Sequence, residues 1–500
     1  MRNLYYQMLK RNPELCVRIE LLNPDETVRK EITNDIWDVS GTINVNKQDG
    51  ARRTCSIKID SSGEDFPLNP SDFWFDTKFK VWTGIRIHGE PYLFPQGIFC
   101  LTNPSRVYNP NSKILTLQGT DKWCRIDGTM GGVLPKTFKT MFGQDLREAA
   151  RNILGFDKYK SIEEEQGDVP IANRIDPKEI TFDNWSDDES WTDSLIYTED
   201  GDMVFRSKTD SEKLYALGDD NKYYTVKGGK LDTPETDKKG NVIKYKYTAS
   251  KTPISDDEKI TSADLENATE KISRSICPYT ATVQAGKTFA DILKEYAKMM
   301  MCNVYYDAEG YLTFKPYSRT LNEVSDFARP IDWHFTIQER EMTGLSLNYN
   351  FSKVYNDLIV LGNISNGYQA FARLQNWNPE SPYSIDKIGF KTKPPYSDNK
   401  YFSDQQCREL GAYYAQVEME LEKSGSVTSN TILHHLNIGS IVTVSTDQGE
   451  DRERFLVNGY SISLNPTATM SVTITNMRYF TEWTAVNQNG EVIKEATNNG

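Results

Sequence analysis

The stretch FPQGIFCLTNPSRVYNPNSKILTLQGT, residues 94–120, has a counterpart far along the chain, FLVNGYSISLNPTATMSVTITN, residues 455–476. Each holds a glycine in its first alternating run (Gly97, Gly459) and an Asn-Pro turn (Asn109-Pro110, Asn465-Pro466). A second alternating run follows in each (Ile114 to Leu117, Met470 to Ile474). Apolar residues at every second position mark strands with one buried face. A layout that recurs within one chain points to two related β domains.

The same patterning extends outward. IWDVSGTINVNKQDGARRTCSIKID, residues 36–60, reads as two strands about a polar turn. Ile43 and Val45 alternate on one strand, Cys55, Ile57 and Ile59 on the other, and Gly50 is free to take a positive φ in the turn. Late in the chain SIVTVST, FLVNGYSISL and MSVTITNM repeat the pattern. Short alternating runs cut by close turns predict an antiparallel barrel or sandwich.

Three segments switch to helical spacing. MFGQDLREAARNIL, residues 141–154, places Leu146, Ala149, Ala150 and Ile153 on one face. GKTFADILKEYAKMMM carries the stripe Phe289, Ile292, Leu293, Tyr296, Ala297 and Met300, with Thr288 as N-cap and Asp291 three residues on. CNVYY and YLTFKP follow as a hairpin closed at Gly310. In FSDQQCRELGAYYAQVEMELEKSG, Ser403 and Gln406 form a capping box, Leu410, Tyr414, Val417 and Leu421 the stripe, and Gly425 the expected stop.

At 500 residues, 38% hydrophobic and 11% aromatic, the chain is long enough for about three cores. Its mean hydropathy of -0.61 reflects polar loops. No apolar run reaches the roughly 20 residues of a membrane span. MRNLYYQMLKRNPE lacks the apolar centre of a signal peptide, so synthesis in a cytoplasm is expected. The net charge of -13 argues against a surface that grips nucleic acid, while leaving room for one past which DNA slides. The fold class is mainly β with minor α (α+β). The organisation expected is 1–155, a β domain with a helix; 156–275, a polar β-rich insertion; 276–345, a helix–hairpin unit; 346–485, a second β domain with a helix; and 486–500, a flexible tail.

Chemistry is sparse. Seven cysteines (Cys16, Cys55, Cys100, Cys124, Cys277, Cys302, Cys407) include no C-x-x-C pair and read as buried free thiols. Asp307 and Glu309 are too few hard ligands for calcium, and Met299, Met300 and Met301 complete a core stripe, so no metal or cofactor is expected. The four histidines fall as His88 in a turn, His334 beside Trp333, and the adjacent His434-His435, outside any recognisable catalytic motif; no catalytic residue is assigned. In the insertion, Trp185, Trp191 and Tyr197 sit among acidic residues and are the candidate glycan-contacting aromatics, with Tyr223 and Tyr224 beyond them and Asp200-Gly201-Asp202 as a candidate cation loop. Trp37, Phe73, Trp74, Phe75, Trp82 and Trp123 are read as core or interface packing.

The order of elements over 81–122, ending Gln-Gly-Thr-Asp-Lys, resembles the N-terminal domain of phage tail hub proteins. TFADILKEYAKMMMCNVYYDAEGYLTFKP resembles the same family. HHLNIGSIVTVSTDQGEDRERFLVNGYSISLNPTATMSVTIT, with Gly439 before Ile441–Val444, resembles its second tube domain. The relatives are baseplate hubs of contractile tails, late-control D proteins and tail proteins of phages of Gram-positive hosts. The likeness covers about residues 30–155 and 280–480. It implies two tail-tube-like β-barrel domains, a homotrimer that joins a sixfold tube to a threefold tip, and a lumen for DNA. It also implies as partners the tail tube protein, the tape measure protein, the tail-tip spike, and baseplate or receptor-binding proteins, in a virion assembled in the host cytoplasm. The alternatives are a receptor- or glycan-binding adhesin and a tail-associated cell-wall hydrolase.

Overall fold

The computed structural model describes residues 2–11, 13–48, 50–60, 72, 77–109, 112–154, 176, 178–182, 190–196, 198, 202–218, 220–228, 235–236, 242–244, 247–255, 260–317, 330–337, 342–365, 368–401, 403–419, 421–445, 453–465, 468–476, 483–487 and 490–492. Fourteen strands form its largest sheet. The first eight are β1 (Leu15–Leu22), β2 (Val28–Thr33), β3 (Asp38–Asn46), β4 (Arg53–Asp60), β5 (Lys78–Ile87), β6 (Glu90–Leu101), β7 (Ser105–Asn109) and β8 (Ser112–Asp121). The other six are β9 (Trp333–Thr336), β10 (Gly344–Asn350), β11 (Glu422–Ser429), β12 (Ile441–Ser445), β13 (Glu453–Ser463) and β14 (Thr469–Asn476).

The two runs are built alike. The first is ordered β1-β5-β6-β8-β4-β3 and the second β9-β12-β13-β14-β11-β10. With β2 and β7 set aside as additions, both read first-fourth-fifth-sixth-third-second in chain order. Four of the five neighbouring pairs are antiparallel in both runs; the first-to-fourth pair is antiparallel in one (β1–β5) and parallel in the other (β9–β12). The internal repetition expected from sequence is present as strand order.

The repeated glycines do not correspond. Counted back from the hairpin tips, Asn109↔Ser112 matches Ser463↔Thr469, so Gly459 falls at the place of Ser105. Gly97 lies in β6 at a bulge opposite Val81, and a Cβ there would meet the Arg53 side chain at 2.9 Å.

The runs join edge to edge. β12 covers the first part of one edge of β13, and β3 covers the rest, with Thr42↔Ser463, Ile43↔Ile462, Asn44↔Ser461, Val45↔Tyr460 and Asn46↔Gly459 antiparallel. A single hydrophobic cluster follows, taking Ile43, Val45, Ile57, Ile59, Phe79 and Phe99 from one run and Val442, Tyr460, Ile462 and Val472 from the other.

Helix α1 (Arg2–Leu9) buries Tyr5 and Leu9 in that cluster. Helices α2 (Leu146–Leu154) and α3 (Phe289–Met299) pack on each other in a second cluster, so α2 does not lie on the first run. Thr288 caps α3 through the Asp291 amide, and the carboxylate of Asp291 accepts the Thr288 amide in return. Hairpin Cys302–Tyr306/Leu312–Pro316 follows, with Gly310 at φ +83 and all of Met299, Met300 and Met301 buried. Its tip reaches the first run, where Gly310 lies against Ile98 and Glu309 pairs with Lys80. Gly50, at φ +106, hydrogen-bonds the Val304 carbonyl at 3.1 Å.

Helix α4 (Asp404–Glu418), capped by Ser403, packs on strands Asp357–Ser365 and Tyr368–Asn376. It ends at Glu418, before the glycine read as its stop. Gly425 lies within β11, where a Cβ would strike the Ser346 carbonyl of β10 at 1.9 Å, so its lack of a side chain serves strand approach.

Val204–Ser207, Leu214–Leu217, Tyr223–Gly228, Tyr247–Pro253 and Leu265–Asn267 form a separate antiparallel sheet. It stands on a stem, Ser190–Leu195 paired with Thr269–Ser273. Thr181–Phe182 pairs instead with Thr313–Phe314 of the hairpin, and Asp176 meets Lys122 at 2.7 Å.

Ile462 is fully buried opposite Ile43. Ile462→Ala is expected to lower unfolding free energy by about 2–5 kcal/mol in urea denaturation; a loss below about 1 kcal/mol would contradict a packed seam.

Candidate functional site

One group of buried polar side chains of the large sheet lies where the two runs meet. Arg53, Gln96 and Asp121 come from β4, β6 and β8, and each is nearly free of solvent. The Asp121 carboxylate accepts the amides of Arg52 and Arg53 at 2.7 and 3.0 Å and that of Trp123 at 3.2 Å. Arg53 donates Nε to the Gln96 carbonyl (3.1 Å) and Nη1 to the Tyr306 carbonyl of the hairpin (3.0 Å). Gln96 donates Nε2 to the His434 carbonyl, and its Oε1 accepts the Tyr460 hydroxyl, both at 3.2 Å. The network ties the first run, the hairpin and the second run together.

A buried charge persists only where it is paired or hydrogen-bonded. Burial pushes the Asp121 carboxyl up to about 6, against the pull of the Arg52 and Arg53 amides and the Arg53 charge. His434 faces Thr83 Oγ1 across 2.8 Å, and burial pushes its imidazole down to about 3, so it is neutral in the fold. These groups point at one another within the interior. The arrangement serves to position elements.

Beside the network, α1 inserts an aromatic cluster. Tyr5 and Tyr6 pack with Tyr92, Phe94, Trp333 and His435, and Tyr5 Oη lies 3.0 Å from His435 Nδ1. Sequence reading found no structural role for this segment; its short length and few apolar residues hid two tyrosines that reach the core. A third node couples Glu26 to Lys78 at 2.8 Å and Lys122 at 2.9 Å, while Lys122 also holds Asp176. Glu26 has φ +65, and the Lys122 and Lys78 charges hold its carboxyl below the usual range despite burial.

The residues singled out from sequence fall in different places. Trp185, Tyr197, Asp200 and Gly201 lie outside the described residues, as do Phe73, Trp74 and Phe75. Trp191 falls in the stem strand, opposite Ile272. Tyr223 packs edge-on against Phe205, and Tyr224 donates to Asp220 at 2.9 Å. Trp123 is buried with the central cluster, Trp37 packs on the main core, and Trp82 donates to Glu20 at 2.7 Å beneath Lys80. The seven cysteines are buried and unbridged. His334 contacts Thr443, His435 reaches the Asp332 carbonyl, and His88 turns at φ +52. Among the described residues, no group of three or more His, Cys, Asp or Glu side chains is placed to hold a metal ion, and no helix is long and apolar enough to cross a membrane.

No family model matches the sequence, and no curated protein matches it. Solved structures similar to it include tail proteins. That of Neisseria meningitidis MC58 is 9% identical, with a TM-score of 0.46, covering 92% of this chain and 96% of that one. The 43 kDa tail protein of prophage MuSo2 from Shewanella oneidensis is 10% identical, with a TM-score of 0.44 and coverages of 92% and 98%. The prophage tail protein gp18 from Listeria monocytogenes EGD-e is 11% identical, with a TM-score of 0.42 and coverages of 93% and 95%.

The neutral state of His434 sets a pH dependence. Its folded value lies below the unfolded one, so its contribution is present above about pH 6.5 and is lost as pH falls toward 3. Asp121, raised by burial, works in the opposite sense over about pH 4–6, so the comparison must be with His434→Gln. Between pH 7.5 and 5 the wild type is expected to lose about 2 kcal/mol relative to that variant in urea denaturation. A pH-independent difference would contradict a neutral buried imidazole.

Proposed function

We propose that the chain is a structural component of a tailed-phage virion, the hub that joins a sixfold tail tube to a threefold tip. Its residues position β modules and carry no chemistry. The observation that supports the reading is the matched strand order of the two runs within one chain, joined through β3 and β13. Three copies then present six like modules to a six-membered tube while keeping threefold symmetry toward the tip. The sequence likeness to tail hub proteins over about residues 30–155 and 280–480 points the same way. The partners in this reading are two further copies, the tail tube and tape measure proteins, and the spike or receptor-binding proteins below. DNA passes through the lumen without specific binding. The charge of -13 suits such a passage, because an acidic wall repels phosphates.

The sheet over residues 202–267 leaves and rejoins the chain through one stem, so it decorates the assembly. Replacing residues 198–267 by a short Gly-Ser linker removes that sheet and spares Asp176, Lys122 and the buried Arg274–Glu409 pair. Light scattering of the purified wild type is expected to give three times the 57.2 kDa chain mass. The shortened chain is expected to assemble likewise and to co-sediment with tube protein. A wild type that stays a single chain and ignores tube protein would overturn the hub.

A further inference from the structure

Trp377 and Phe390 meet edge-on with ring centroids 5.8 Å apart, yet they are 38% and 55% exposed. Ile388, two residues before Phe390, is 37% exposed. Exposed apolar side chains carry meaning where the fold works to keep them outside, and here it does. Asn356 and Asp357, at the start of strand Asp357–Ser365, are fully buried. Asn356 donates Nδ2 to the carbonyls of Tyr383 and Gly389 at 3.0 and 2.8 Å, and its Oδ1 accepts the Lys391 amide at 2.8 Å. The Asp357 carboxylate accepts Thr392 Oγ1 at 2.6 Å, and its carbonyl accepts the Lys393 amide at 2.9 Å. The loop that carries Ile388 and Phe390 is thereby fastened to the interior, with Gly389 at φ +70 between them.

The same carboxylate fixes the other ring. Gln375 is buried and donates Nε2 to Asp357 at 3.2 Å, while its Oε1 accepts the indole N–H of Trp377 at 3.0 Å. With its one polar group satisfied internally, Trp377 offers apolar ring to the outside. Arg373 donates Nε and Nη2 to Asp357 at 2.7 and 2.8 Å and lies over Phe390, 5.8 Å from its centroid. That side chain is 33% exposed, which leaves Nη1 as a donor beside the rings.

We propose that Trp377 and Phe390 form the floor of a saccharide-binding site that takes a pyranose ring. Size selects a small ligand. The exposed apolar surface of the three side chains is roughly 200–300 Å², taking about 150–250 Å² for each whole side chain, whereas a stable protein interface takes about 800 Å² from each partner. Exposed Glu380, Asp386, Lys387 and Lys391 occupy the same loop and keep the apolar surface that small.

Chemistry selects a sugar. A pyranose has an apolar C–H face and a perimeter of hydroxyls. The face suits the two aromatic rings, and the hydroxyls suit the Arg373 and Lys391 donors. β-1,4-linked glucose and N-acetylglucosamine have equatorial ring substituents, so both their faces are bare C–H, and they are the sugars expected to bind. The fastening by Asn356 and Asp357 means that little of the site has to be ordered on binding. Trp377 and Phe390 are distinct from the aromatics singled out in the sequence, Trp185, Trp191 and Tyr197. The site stands apart from the hub reading and does not require it.

The test titrates the full-length protein with β-1,4-linked tetramers of glucose and of N-acetylglucosamine by calorimetry. At least one is expected to bind with a dissociation constant of about 1 mM or below. Trp377→Ala and Phe390→Ala are each expected to weaken that binding about tenfold or more with an unchanged melting temperature. Phe351→Ala, at an exposed aromatic elsewhere, is expected to leave it unchanged. Saturation-transfer NMR on the wild type is expected to mark the C–H protons of one ring face of the bound sugar, a readout that needs no variant. A wild type that binds neither tetramer, or a Trp377→Ala protein that binds as tightly as wild type, would overturn the site. So would variants that keep sugar binding and instead lose assembly, which would make the patch a protein contact. A wild type that binds sugar as a single chain would remove the hub and leave this site standing.

Discussion

The structure depends on a five-pair backbone ladder, Thr42–Asn46 against Gly459–Ser463. Its inward side chains Ile43, Val45, Tyr460 and Ile462 are buried, and each run completes the backbone hydrogen bonding of the other. The contact is close because Gly459 has no side chain: a Cβ there would lie 2.9 Å from the Val45 carbonyl. A slip of one residue would turn Ile43 and Ile462 out of the core. The Arg53–Gln96–Tyr460 chain of hydrogen bonds opposes such a slip, since its partners exist in one register only.

That constraint separates what is common to the two runs from what is added to them. The six-strand order is shared. Additions enter between those strands or beyond them: β2 and β7 in the first run, and the α4 unit between β10 and β11 in the second. The central unit of α2, α3 and the hairpin braces the seam from outside through Arg53, Lys80 and Gly50. Under the proposed hub role, the repeated frame would meet like modules while the attachments would meet unlike neighbours.

Much of this was legible in the sequence wherever the signal is local. The α3 stripe, its Thr288–Asp291 cap and the Gly310 hairpin lie within a few residues of one another, and the structure has them as read. Alternation marked Ile43, Val45, Cys55, Ile57 and Ile59 as inward-facing, and they are buried. Alternation tells which face a residue takes but not which strand lies beside it, so the seam could not be read. The same blindness made Gly425 look like a helix stop when its neighbour in space is Ser346. It also paired Gly97 with Gly459, one of which makes room for Arg53 and the other for Val45. The polar network was hidden because Arg53, Gln96 and Asp121 are ordinary residues until folding removes water from them.

The claim that two like modules in one chain adapt sixfold to threefold symmetry is tested most directly by electron cryomicroscopy of the assembled protein viewed down its axis. The account expects three copies, with six similar β densities around a central channel and threefold order only in the outer attachments. A ring of any other number of chains, or an inner wall whose alternate densities differ in strand order, would contradict it.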